Sequence, residues 1–159
     1  MNKQLCEVES LCLGEIRKGN SEVVEMYFGP YISYNPSTEN SAFIKAYMLL
    51  YHLSTGTKKR FYTTIETVTP TELENPSIKL VIEVDMCMNI GAVERLKNAV
   101  ERNTIKEFDR FLRDILESQM KIMEFSESSN ESSLGIQSQE DKKAIEDAIF
   151  IGRNSSANF

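Results

Sequence analysis

The chain has 159 residues, with 18 Lys plus Arg against 24 Asp plus Glu, one His, three Cys, no Trp and a net charge of −6. That is the composition of one ordinary globular domain, and at this length folding removes about 70% of the unfolded surface from water, so no disulfide or metal is needed to hold a core. The apolar runs are far shorter than the ~20 residues of a membrane-spanning helix, and the first residues carry no secretory pattern; a cytoplasmic protein, with the nucleus as an alternative, is expected.

Cys6, Cys12 and Cys87 have no CxxC spacing and read as reduced thiols. The sequons at Asn130 and Asn154 are then chance matches.

Along the chain, Leu5, Val8, Cys12 and Ile16 recur at helical spacing and Gly19-Asn20 follow as a stop, which predicts a helix over residues 3–18. Residues 21–34 are rich in β-branched and aromatic side chains, with Gly29-Pro30 in the middle, and read as a strand broken near a sheet edge. Residues 42–53 are apolar on both faces, a pattern shared by a buried strand and a buried helix. The turn-like Ser54-Thr55-Gly56-Thr57 and the β-rich residues 61–68 favour a hairpin with its tip near Gly56. Ile78, Leu80, Ile82, Val84 and Met86 alternate, which predicts a further strand with one apolar face.

Helical spacing returns at Ile90, Val93, Leu96, Lys97 and Val100, with Asn89 as a candidate cap. Thr104-Ile105-Lys106-Glu107 matches a capping box, and a long apolar stripe behind it predicts helix to about Phe125, either continuous across Asn103 or broken there. Residues 126–141, rich in Ser, Glu, Asn and Gln, cannot bury enough apolar area to offset their ordering entropy and read as a flexible linker. A short helix from Lys142 to Phe150 and a frayed end over residues 153–159 complete the chain.

The expected fold is therefore α+β. An N-terminal helix is followed by an antiparallel sheet of about four strands and then a helical pair packed on one sheet face, all within residues 1–125; a flexible acidic tail follows. This order of elements is compatible with small viral matrix or accessory proteins, an analogy of order alone from which no residue is transferred.

Chemistry-bearing patterns are few. Any Ser-His-Asp or Cys-His arrangement must recruit His52, which lies in an apolar segment and reads as a packed residue. Multi-His and Cys-rich metal sites lack the residues they need, phosphate-binding glycine motifs are missing, and no cofactor is expected. Glu83 and Asp85 would share a strand face about 7 Å apart, a spacing open to acid/base work, but they read more simply as the solvated side of a sheet.

The most specific local feature is Lys58-Lys59-Arg60, followed by Phe61-Tyr62, inside the only net-basic stretch, residues 41–70 at plus three. Cations that track phosphates beside aromatics that stack on bases would suit RNA or another single-stranded nucleic acid. The simpler reading is a solvated turn. Phe108, Phe111, Ile115, Met120 and Met123 belong to a stripe broader than one helix seam, which leaves room for a protein partner or self-association. Ser128 and Ser138 each have an acidic residue three positions on and are candidate phosphorylation sites. These features favour a non-catalytic protein-interaction or assembly module over a nucleic-acid binder, and place an enzyme third.

Overall fold

The structure, a computed structural model, describes residues 2–134. Among these it shows seven α-helices, two short 3-10 turns and no strand. The described residues are all-helical; the α+β architecture and its four-stranded sheet are overturned, and with them the order of elements on which the viral analogy rested.

Helix α1 (Lys3–Lys18) lies where the apolar spacing places it: the Asn2 side chain accepts from the Gln4 N–H, and Gly19, at φ 77°, ends the helix. Where a broken strand is expected, α2 (Ser21–Ser33) buries Val24, Phe28 and Tyr31, whose spacings of four and three form one helical face. Its Pro30 falls in the last turn, so the missing N–H forfeits a single bond close to the helix end.

The segment left open between strand and helix is α3 (Ser41–Thr55), with Ile44, Ala46, Tyr47, Met48, Leu49 and Leu50 all essentially inaccessible. A helix apolar on every side must be covered on every side; α1, α2, α4 (Lys58–Ile65), α5 (Pro76–Ile90) and the 3-10 turn Lys106–Phe108 all pack against it. Gly56, at φ 73°, ends α3, and the chain passes through Thr57 into α4, so the hairpin is replaced by a helix–turn–helix connection.

The alternating run belongs to α5. Ile78, Val81, Val84 and Cys87 face the core at helical spacing while Ile82 and Met86 are exposed. Period two arises by coincidence from a helix with apolar residues on more than one face. A short connection through Gly91 and Ala92 leads to α6 (Val93–Arg102), so Ile90 closes the preceding helix and Asn89 caps nothing.

At Asn103 the backbone is extended, which makes residues 90–125 parts of separate helices. The expected capping box does not form. Instead the Asn103 side chain holds the turn, accepting from the Ile105 N–H at 3.1 Å and donating to the Ile105 carbonyl and the Asp109 carboxylate. Helix α7 (Asp109–Leu134) then runs past Phe125 into the stretch expected to be a linker. Residues 135–141 and the short helix expected from Lys142 lie outside the described residues. The chain divides into two units, Met1–Met120 and Lys121–Phe159.

Candidate functional site

Lys58, Lys59 and Arg60 form the first turn of α4. The Arg60 guanidinium donates to the Glu25 carboxylate, and the Lys58 charge acts on Asp85. Phe61 is buried, and its ring meets that of Tyr62 edge-on at 5.4 Å. Tyr62 is the exposed ring of the pair. The motif therefore offers one partner-engaged arginine and one accessible aromatic ring, a narrower platform than the sheet-based arrangement would have given.

His52 is buried in α3 with Nδ1 3.4 Å from the Thr57 hydroxyl, and burial holds its imidazole below the ordinary value, partly opposed by Glu25. Glu83 and Asp85, two positions apart on a helix, do not share a face. Glu83 is bonded by Arg102 at 2.8 Å, while burial raises the Asp85 carboxyl against the pull of Asn89 and Lys58. Cys6 is exposed; Cys12 and Cys87 are buried free thiols, with Cys12 pushed up to about 11 by burial and by Glu9.

The residues read as a partner-binding stripe are divided. Phe108, Phe111 and Ile115 lie in the core, Met120 is half-buried, and Met123 is exposed. Phe111 meets Tyr47 edge-on at 5.0 Å, and Phe108 stacks on Phe43 at 5.6 Å. Ser128 is exposed, its hydroxyl donating to the Phe125 carbonyl; Ser138 lies outside the described residues.

The exposed apolar row within the first unit that alternation obscured is the outer face of α5. Ile82, Met86 and Ile90 stand four residues apart and are 40%, 43% and 62% exposed. Single exposed aliphatics need no explanation, but three in one row form a continuous strip. Asn89 is the other exposed residue between Ile82 and Ile90, and the two charged residues of that span, Glu83 and Asp85, are half-buried. Alongside, residues of α5 and α6, among them Glu83, Arg95 and Arg102, line an open cleft of about 500 Å³.

Two buried polar clusters escaped the sequence pattern because each joins residues far apart in the chain. Glu9 accepts from Tyr31, Thr38 and Asn40. Lys45, 2% exposed, donates to Glu72 at 2.7 Å and to the Thr67 carbonyl at 2.8 Å. Glu72 also accepts from the Ser41 hydroxyl and the Thr69 N–H. Burial by itself would raise the Glu72 carboxyl, but these donors together hold it below its ordinary value. Among the described residues no buried side-chain nitrogen or oxygen lacks a hydrogen-bond partner, so both clusters are closed cross-ties.

Among the described residues no group of three or more His, Cys, Asp or Glu is placed to hold a metal, and no helix is long and apolar enough to cross a membrane. No family model, curated protein or solved structure matches the chain.

Proposed function

We propose that this chain is a non-catalytic protein-interaction module that self-associates through the outer face of α5. The observation that carries the reading is the Ile82, Met86, Ile90 strip. An isologous two-fold contact requires a surface complementary to itself. This strip is palindromic, Ile-Met-Ile at equal spacing. Two antiparallel copies centred on Met86 would set Ile82 against the partner's Ile90 and Glu83 against the partner's Asn89, with no like charges opposed.

One helix face is a small interface beside the roughly 1,200 Å² of stable complexes, which places the contact among weak, concentration-dependent ones. The non-catalytic part of the reading draws on the engagement of the groups an enzyme would need. His52 is buried with its imidazole held below the ordinary value, Glu83 is tied to Arg102, and Glu9 and Glu72 are enclosed by donors.

Sedimentation equilibrium from about 10 µM to about 1 mM covers the range in which a weak dimer forms. Dimer should accumulate toward the upper end for the native chain and be lost in Met86→Asp, which places a charge against its own copy. A native chain that stays at 18.2 kDa throughout, or a Met86→Asp variant that dimerises equally well, overturns the proposal.

A further inference from the structure

The end of α1, the 3-10 turn Lys106–Phe108, the start of α7 and Tyr47 of α3 line an open cleft of about 280 Å³ within the first unit. Its lining carries Arg17, Lys18, Lys106 and Arg110 against one carboxylate, Glu107. Four cations converge there in a chain whose net charge is −6, and cations held close together repel one another unless an anion lies among them.

Compensation of the α1 dipole accounts for part of this cluster, since Arg17 and Lys18 lie in its last turn. It does not account for Lys106 and Arg110, which arrive from the 3-10 turn and from α7. The α1 end is also already capped, with the Gly19 N–H on the Ile16 carbonyl and the Asn20 N–H on the Glu15 carbonyl, both at 3.0 Å. Lys18 is paired with Glu15 at 2.9 Å. Among the described residues no carboxylate lies within ion-pair distance of Arg17, Lys106 or Arg110.

Arg110 is held in place from two sides. It donates to the Ser21 hydroxyl at 2.9 Å, Ser21 is joined to the Tyr47 hydroxyl at 2.9 Å in the buried layer beneath, and the guanidinium lies 5.1 Å from the centroid of the Phe111 ring. A guanidinium has five N–H donors in a rigid fork, so the single bond to Ser21 leaves capacity for a planar or tetrahedral oxyanion.

The size and walls limit what fits. The cleft is smaller than the roughly 300–1,000 Å³ of sites for drug-sized ligands. Its two aromatic rings are buried, Tyr47 at 1% and Phe111 at 2% exposure, which leaves no open ring face on which a base can stack. We propose that this cleft binds a small free oxyanion of the phosphate class, with Arg110 as the fixed donor and Arg17 and Lys106 as flanking cations.

Calorimetric titration of the full chain with sodium pyrophosphate, and separately with inorganic phosphate, tests this against sodium chloride at matched ionic strength. One saturable site is expected, with affinity falling about tenfold or more in Arg17→Gln/Lys106→Gln and unchanged in Lys59→Gln. Both altered positions are exposed, so the double variant should keep its circular dichroism spectrum; Arg110→Gln is a second variant, read only where it folds. Heats no larger than those of matched chloride, equal binding by the double variant, or equal loss in Lys59→Gln each overturn the site.

Discussion

Lys45 and Glu72 form an ion pair buried on both sides. Both are taken from water, Lys45 at 2% and Glu72 at 8% exposure, so each depends on the other for its charge to be tolerated. Removing one partner of such a pair costs about 3–5 kcal/mol, whereas replacing both with apolar side chains is often close to neutral. Lys45→Met should therefore lower the urea midpoint strongly, and Lys45→Met/Glu72→Leu should recover most of the loss. The pH dependence follows from the lowered Glu72 carboxyl. Its stabilisation is complete above the ordinary value of 4.5 and is lost as pH falls through the lower folded value. Glu72→Gln removes this contribution, so the stability difference between native chain and variant should shrink as the solution is acidified from pH 6 to below 4; a constant difference would dissociate the pair from acid sensitivity.

Elements were legible where their end signals agreed with their spacing, as in α1. In α5 the two disagreed. Asn75-Pro76 is a cap followed by the favoured first-turn proline, and Gly91 sits at the far end with φ 67°, yet the alternating aliphatics drew the segment toward a strand. The alternation is real but physically empty, because core contacts and the exposed strip of α5 together leave few polar positions on its circumference. α2 was hidden for a related reason: β-branched and aromatic residues weigh toward strand, and only the Val24, Phe28, Tyr31 spacing records the helix. If end signals govern α5, they must carry free energy. Asn75→Ala, which deletes the acceptor for the Ser77 N–H at 2.9 Å, and Gly91→Ala, which forces a side chain into the left-handed region, should each cost about 1 kcal/mol. In a domain of this size that is a fall in thermal midpoint of roughly 3 °C per variant, read by far-ultraviolet circular dichroism.

At the scale of the whole molecule, charge and core were legible to different degrees. Summed along the sequence, residues 1–40 and 71–125 are each net −3, so nothing in the linear tally marks them as sources of cations. Folding brings Arg17 and Lys18 of one together with Lys106 and Arg110 of the other, a juxtaposition that no segment total records. The core, in contrast, was visible as residues 42–53, apolar on both faces apart from Lys45 and His52, even while its secondary structure was open. A helix covered on all sides is a hub, and a hub ties the stability of the helices around it to its own. Leu49, fully buried at the centre of α3, tests this coupling. Leu49→Ala should cost about 2–5 kcal/mol through lost transfer energy and the cavity left behind. With no Trp and six Tyr in the chain, tyrosine emission reports tertiary packing around all six rings, the buried Tyr31 and Tyr47 among them, while circular dichroism reports the helices. If α3 makes the first unit cooperative, both signals should move to the same lower urea midpoint in Leu49→Ala, with the slope of the transition unchanged. Separation of the two transitions would mean that the surrounding helices hold together without their central one.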